Sequence, residues 1–203
     1  MVEGRQSEHN NDWPPVREEF NYYKEIISAL KSIDDGNDKD TIRKVTNIWR
    51  CEYQKHLGLG KRVFIIGNGG SCAIAEHIST DLNKRCKVKA TTLSNNSLLT
   101  ALTNDYGQEN AFVEWMKMNH FGKTDFLVVI SSSGKSPNIL NAINHANDCL
   151  GYILAIFGMD GETPFTGNRY EHNYIHIDSH NYGVIELTSE IILHGIVEDL
   201  VIE

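Results

Sequence analysis

The segment RVFIIGNGGS, residues 62–71, decides the fold: a continuous apolar run is followed at once by a glycine-rich turn. A short run without polar alternation is typical of a strand that is buried on both faces of a parallel sheet. The pattern recurs at residues 126–130, which are followed by Ser131, and at residues 152–157, which are followed by Gly158. The sequence therefore predicts parallel strands at these three places.

Helical periodicity separates these runs, and two weaker strand patterns complete the set. Strands that alternate with helices require right-handed crossovers. We therefore predict an α/β fold: a three-layer, flavodoxin-like sandwich around a central, mostly parallel five-stranded sheet. The weaker strands are predicted at 88–93 and 174–177, the helices at 73–82, 108–118, 137–149 and 185–201, a loop at 94–100 and a turn at 104–107.

Two amphipathic helices are predicted before the sheet, one over 16–33 and one around 42–49. Residues 1–15 are polar and are expected to be frayed. The sequence contains no repeat, linker or low-complexity tract, so residues 16–203 are interpreted as one domain that includes the two helices.

Composition excludes several classes of protein. The chain has 203 residues and a formal net charge of −8, which argues against nucleic acid as the main partner, because such binding depends on clustered basic residues. Its four cysteines form no CxxC pair, so we expect reduced thiols. The amino terminus lacks a signal-peptide pattern, and no window is apolar enough to span a membrane. We expect a soluble, cytoplasmic protein.

Two loops at the carboxyl ends of predicted strands suit an anion. Gly67–Ser71 combines glycines with the start of a helix, and Ser131–Pro137 offers four hydroxyls and several backbone donors. Neither loop fits a Walker A or a GxGxxG pattern. Each could instead be a tight turn with a helix cap, but two such loops at one edge of a sheet favour a phosphate ester as ligand.

Four titratable side chains lie at helical spacing. His77 and Asp81 are four residues apart on one predicted helix, and Glu186 and His194 are eight apart on another, so each pair shares a helix face. Two imidazoles and two carboxylates can form a metal site or an acid/base pair. For any one of these residues taken alone, a surface or capping side chain is the favoured interpretation.

These motifs together resemble the phosphoheptose (sedoheptulose-7-phosphate) isomerases of the sugar isomerase (SIS) fold. The resemblance extends over residues 16–200. It includes the two leading helices, which in that family help to build a homotetramer. It is carried by Gly67–Ser71, by Ala75, His77 and Leu82, by Asn104-Asp105-x-Gly107, by Ile130–Asn138, and by Glu186 and His194.

The resemblance implies roles for matched residues. The phosphate would be held by the serine loop, and the rest of the sugar by the other substrate-binding residues. Zinc, one ion per subunit, would be bound by His77, Asp81, Glu186 and His194. The implied phosphate ligands are Ser131, Ser132, Ser133 and Ser136; the other implied substrate contacts are Asn68, Gly69, Gly70, Asp81, Asn104, Asp105 and Glu186.

Two positions depart from the family pattern. Asp81 stands where the family has glutamate, and Glu186 stands where it has glutamine. Aspartate is one methylene shorter, and a displacement of about 1 Å can reduce a rate by about a hundredfold. Glu186 adds a negative charge that can act as a base or strengthen metal binding.

The leading hypothesis is an aldose–ketose isomerase that converts sedoheptulose 7-phosphate to D-glycero-D-manno-heptose 7-phosphate for activated heptose and surface polysaccharide. Asp81 would be the base, with Glu186 as a second base, and His194 the acid. The alternative is a phosphosugar-binding or interaction protein of the same fold that has lost catalysis. The expected partners are a small sugar phosphate and copies of the same chain.

Overall fold

The computed structural model describes residues 22–35, 62–159 and 174–201, and a five-stranded sheet lies at its centre. Every pairing in the sheet is parallel, and the strand order is β2-β1-β3-β4-β5. The predicted α/β class is confirmed, and the sheet is parallel throughout the described strands. The strands are β1 (Arg62–Gly67), β2 (Lys89–Thr91), β3 (Phe126–Ser131), β4 (Tyr152–Phe157) and β5 (Tyr174–His176).

Helices cover both faces of the sheet. Alternate residues of β1 point to opposite faces: Val63 and Ile65 into one apolar cluster, Phe64 and Ile66 into the other. Because both faces are buried, the strand is apolar from Val63 to Ile66. The first cluster involves α1 (Tyr22–Asp35), α2 (Gly70–Arg85) and α6 (Tyr182–Leu200); the second involves α3 (Asn96–Tyr106), α4 (Ala111–Met118) and α5 (Pro137–Asp148).

The loop predicted at 94–100 and the turn predicted at 104–107 are wrong, because the structure has helix α3 there. The Asn95 side chain starts this helix by accepting the N–H of Leu98 at 3.0 Å. Leu102 anchors it in the core and is only 4% exposed. The helix ends at Gly107, whose φ of 82° is a conformation that glycine adopts most easily.

Helix α1 is the described part of the amino-terminal region, and it packs against α6. The hydroxyl of Ser179, just before α6, donates a hydrogen bond of 2.5 Å to the Glu25 carboxylate of α1. The predicted second helix and the segment 1–15 lie outside the described residues. In the described segments, no helix has both the length and the apolar character needed to cross a bilayer.

The amino-terminal edge of the sheet is held by a buried carboxylate. Asp125 accepts hydrogen bonds from the Arg62 backbone N–H at 3.2 Å, from its guanidinium at 2.6 and 3.2 Å, and from the Gly122 N–H at 3.0 Å. Arg62 also donates to the carbonyls of Asn119 and His120. This network ties the start of β1 to the start of β3.

The opposite, carboxyl edge contains the topological switch point. The chain passes from β1 to β2 on one side, while β3 pairs with β1 on the other, with Gly67 opposite Ile130. Helices connect the two neighbours on opposite faces, so a crevice opens above the ends of β1 and β3. The two loops predicted to bind an anion leave the sheet at this point.

Candidate active site

The loop after β1 is a tight turn into α2. The N–H of Ser71 donates to the carbonyl of Asn68 at 3.1 Å, and that of Cys72 to Gly69 at 3.0 Å. Gly69 has a φ of 58°, which requires little energy only for glycine. Asn68, Gly69 and Gly70 are all exposed, so their side-chain or backbone donors face solvent at the carboxyl edge of the sheet.

The loop after β3 is compact and rich in hydroxyls. The Ser131 Oγ accepts the N–H of Gly134 at 3.2 Å, and the Ser133 Oγ accepts that of Lys135 at 3.3 Å. Ser136 is the N-cap residue of α5, yet its hydroxyl makes no capping hydrogen bond. Serine hydroxyls beside a helix start are suited to a phosphate group. Ser132, the fourth predicted serine, is buried with Ser131 at the strand end.

Two asparagine side chains join these loops. The Asn68 Nδ2 donates to the Asn138 Oδ1 at 3.1 Å, and the Asn138 Nδ2 donates to the Asn68 Oδ1 at 2.8 Å. Asn138 received no role from the sequence. The signal that could have indicated one is the adjacency of β1 and β3, which brings residues 70 positions apart together.

A cleft of about 510 Å³ lies between the first loop and helices α3, α4 and α5. It brings together three predicted substrate contacts, namely Asn68, Gly69 and Asn104. The Asn104 Nδ2 donates to the Oδ1 of the exposed Asp105 at 2.9 Å, in the last turn of α3. The remaining walls are largely apolar, from residues such as Leu99 and Phe112.

Three of the predicted metal ligands meet where α2 packs against α6. Asp81 Oδ2 lies 3.8 Å from His77 Nε2 and 3.7 Å from His194 Nδ1. The two imidazole rings are 5.1 Å apart between centroids. One ligand atom from each residue lies within 4.8 Å of the other two. Two imidazoles and a carboxylate are the donors that zinc binds in catalytic sites with an open fourth position, so these residues fit such an ion.

The surroundings of this group are charged. Arg85 Nη1 lies 3.9 Å from Asp81 Oδ2, while its Nη2 forms a 2.6 Å ion pair with Glu198. Glu190 Oε1 is 4.0 Å from His194 Nε2. Asp81 is the most enclosed member, with a side chain 17% exposed, against 51% for His77 and 37% for His194. The group therefore faces solvent through its imidazoles.

Glu186 lies against the glycine loop. A Cβ atom added at Gly70 would be 2.5 Å from its Oε2, so the Glu186 carboxylate packs directly on the first residue of α2. This position near a helix amino terminus favours a negative charge. In the described residues, Glu186 is not part of the group formed by His77, Asp81 and His194.

Cys72 also lines the cleft, although the sequence assigned it no role. Burial raises the pKa of its thiol, and the negative charge of Glu76 raises it further. The thiol is therefore protonated at neutral pH and is a poor nucleophile. Its position makes it a reporter of cleft occupancy.

Comparison with known proteins decides the family. Residues 21–158 match the SIS domain. The chain is 34% identical over 153 residues to phosphoheptose isomerase 1 of Campylobacter jejuni, with 72% of this chain and 76% of the relative covered. It is 39% identical over 152 residues to the phosphoheptose isomerase of Helicobacter pylori (strain HPAG1), with coverage of 72% and 74%. The chain belongs to the phosphoheptose isomerase family.

Solved structures agree with the family fold. A phosphoheptose isomerase from Francisella tularensis superposes with a TM-score of 0.76 at 25% identity, covering 89% of this chain and 94% of the other. That from Neisseria gonorrhoeae gives the same TM-score at 23% identity, covering 88% and 94%. The latter likeness supports the SIS fold alone.

Proposed function

We propose that the protein interconverts sedoheptulose 7-phosphate and D-glycero-D-manno-heptose 7-phosphate, and so supplies heptose for surface polysaccharide. The observation that carries this proposal is the placement of one carboxylate, Asp81, between two imidazoles in a chain of the phosphoheptose isomerase family. A carboxylate and an imidazole are the acid/base pair that aldose–ketose isomerisation requires.

The proposed reaction consists of four proton transfers through an enediol intermediate. Asp81 removes a proton from the carbon beside the ketose carbonyl, while His194 protonates the carbonyl oxygen, and an enediol forms. The hydroxyl on the carbon that lost its proton then gives its own proton to His194 and becomes the aldehyde, while the former carbonyl carbon receives a proton from Asp81. Glu186, near the glycine loop, is the second candidate base.

The substrate would lie across the switch point. We assign its phosphate to Ser131, Ser132, Ser133 and Ser136, whose hydroxyls and nearby backbone donors can bind an anion with few full positive charges. A protein with a net charge of −8 can therefore bind an anionic substrate through neutral donors. The sugar hydroxyls are assigned to Asn68, Gly69, Gly70, Asn104, Asp105, Asp81 and Glu186.

We further propose that zinc binds at His77, Asp81 and His194 with an open fourth position; Glu186, the fourth ligand that the resemblance implies, lies against the first residue of α2 and outside this group. When bound, zinc would act as a Lewis acid toward the substrate oxygens. In a calorimetric zinc titration we expect one ion per subunit. The variant His77→Gln should bind zinc at least about tenfold more weakly, because a donor is lost. His120→Gln, an exposed histidine outside the group, is the control; equal affinities in both variants would contradict the assignment.

The proposed assembly is a homotetramer in the cytoplasm, and residues 16–203 form one functional unit. Sedimentation equilibrium tests the subunit count, with a fourfold mass expected. A monomeric mass at micromolar concentration would contradict it.

The proposed activity is tested by ¹H NMR in deuterated water. Wild-type protein should convert sedoheptulose 7-phosphate and incorporate deuterium at the carbon beside the carbonyl. Asp81→Asn should reduce the rate by about 10²–10⁴-fold, which is the usual contribution of a general base. Asp148→Asn, at the far end of α5, serves as the matched control and should retain the wild-type rate. Absence of turnover by wild-type protein, with or without zinc, would overturn the proposal.

The short side chain of Asp81 favours one second candidate, a phosphosugar-binding protein without catalysis. It predicts saturable binding of the sugar phosphate with no deuterium incorporation. The same NMR samples therefore distinguish the two functions.

A further inference from the structure

We infer that Asn138 is a positioning residue, whose side-chain amide holds the amide of Asn68 in the orientation that binds the sugar. The inference rests on the proposed function, in which Asn68 contacts the substrate. Both residues line the cleft, but Asn68 is exposed while Asn138 is only 6% exposed. The buried amide is therefore placed to support the exposed one.

One backbone hydrogen bond fixes the orientation of the pair. The N–H of Ile139 donates to the Ser136 carbonyl and to the Asn138 Oδ1, each at 3.0 Å, and an amide NH₂ in place of that oxygen would face another donor. This identifies the oxygen end of the Asn138 amide. The Asn68 amide must then present its nitrogen to that oxygen and its own oxygen to the Asn138 Nδ2.

The pair leaves a defined set of groups for a ligand. A side-chain amide has two N–H donors and two acceptor sites. One donor and one acceptor of Asn68 are used by Asn138. One N–H and one lone pair of Asn68 remain, and they point away from each other at the two ends of the planar amide, so they can serve two different sugar hydroxyls, one as acceptor and one as donor.

The pair also sets the distance between two subsites. Asn68 follows β1, whereas Asn138 is in the first turn of α5, directly after the serine loop. A sugar hydroxyl bound by Asn68 is thereby held at a fixed separation from a phosphate bound by the serines. A rigid separation matters because small displacements reduce the rate steeply.

A double-mutant cycle tests the inference. Asn138→Ala should reduce kcat/KM by about tenfold to a hundredfold, because Asn68 loses its support. In the Asn68→Ala background, Asn138→Ala should reduce kcat/KM by less than about threefold, since the side chain that Asn138 supports is already gone. Inhibition by inorganic phosphate should stay within about twofold, because the serine loop is unchanged.

Asn141→Ala is the matched control. Asn141 lies one turn further along α5, and its Nδ2 donates to the Glu109 carbonyl at 3.0 Å, away from Asn68. We expect it to leave kcat/KM within about twofold of wild type. If Asn138→Ala reduced kcat/KM equally in wild-type and Asn68→Ala protein, or if it also weakened inhibition by phosphate, Asn138 would have a structural role and the inference would be overturned.

A measurement on the wild-type protein covers the case in which Asn138→Ala does not fold. One Nδ2 proton of Asn138 should exchange with solvent at least about tenfold more slowly than those of the exposed Asn96, as seen by ¹⁵N NMR. Equal exchange rates would overturn the inference. Wild-type protein without turnover would instead overturn the proposed function, so the two failures are distinguishable.

Discussion

Asp81 presents a single oxygen to three side chains that can carry positive charge. The distances from Oδ2 to His77, His194 and Arg85 are 3.8, 3.7 and 3.9 Å. All three exceed the roughly 2.7–3.2 Å of a direct hydrogen bond. The carboxylate is therefore close to its three neighbours without a direct hydrogen bond to any of them, which is compatible with its proposed role as a metal ligand or base.

Cys72 allows occupancy of the cleft to be measured at a single residue. Because burial raises the pKa of its thiol, Cys72 stays protonated at neutral pH. The fraction of reactive thiolate becomes large only when the pH rises above about 8.5, the pKa of an ordinary cysteine. We expect alkylation by iodoacetamide to be at least about tenfold faster at pH 9 than at pH 7. Saturating sugar phosphate should slow it at both pH values.

Cys149 provides the internal control for this experiment. Its pKa is also raised, by burial first and then by Asp148, but Cys149 does not line the cleft. Mass spectrometry of one sample reports both thiols, and only Cys72 should be protected by ligand. Equal protection of both, or of neither, would contradict the assignment of the cleft to the substrate.

At the scale of elements, α3 shows what one capping residue contributes. Asn95 supplies the acceptor for the first turn, and the helix forms one wall of the cleft. Asn95→Ala should lower the free energy of unfolding by about 1 kcal/mol, the usual cost of losing such a cap. Asn96→Ala, at the next position, should change it by less than about 0.5 kcal/mol. Urea unfolding measures both, and indistinguishable midpoints would show that the cap does not stabilise the helix.

The extent of burial explains which elements the sequence predicts and which it misses. The long strands are recognisable because both of their faces are buried, so that β1, β3 and β4 each contain an uninterrupted apolar run of at least four residues. Helix α3 was missed because its first turn is polar and, of its residues, only Leu102 is fully buried. Its helical state depends on packing against α4 and on the insertion of Leu102 into the second apolar cluster, which a local pattern does not contain.

The sequence predicts that the site lies at the carboxyl edge of the sheet, but it does not predict which side chains contact each other there. Strand ends and turn residues locate the two loops correctly at the switch point. The contact between Asn68 and Asn138 requires knowing that β1 and β3 are neighbours. Helical spacing correctly put Glu186 and His194 on one helix, but two turns separate them, and Glu186 packs on Gly70 instead.

At the scale of the whole molecule, the carboxyl edge of the sheet forms the candidate site, and the amino edge contributes to stability. The carboxyl edge carries the loops and the cleft, whereas the amino edge contains the Arg62–Asp125 network. Arg62→Ala would leave the Asp125 carboxylate buried, with its side chain 4% exposed, and without its charged partner. We expect a loss of about 3–5 kcal/mol in the free energy of unfolding, because an unpaired buried charge is costly.

The exposed ion pair between Lys117 and Glu114, at 2.8 Å, is the comparison. Lys117→Ala should cost less than about 1 kcal/mol in urea unfolding. Folded Arg62→Ala protein should keep its kcat/KM within about twofold, since the site lies at the other edge. Similar losses of stability in the two variants, or inactive Arg62→Ala protein that is still folded, would contradict this division of tasks.

The contact between Gly70 and Glu186 constrains how the sequence can evolve. Any side chain at position 70 would have to displace the Glu186 carboxylate, since even a Cβ would come within 2.5 Å of it. The displaced atoms are the end of a flexible side chain, so alanine at 70 is expected to be tolerated, but it would move the Glu186 carboxylate away from the start of α2. Functional variants with alanine at 70 should therefore carry a shorter residue at 186 more often than variants that keep Gly70.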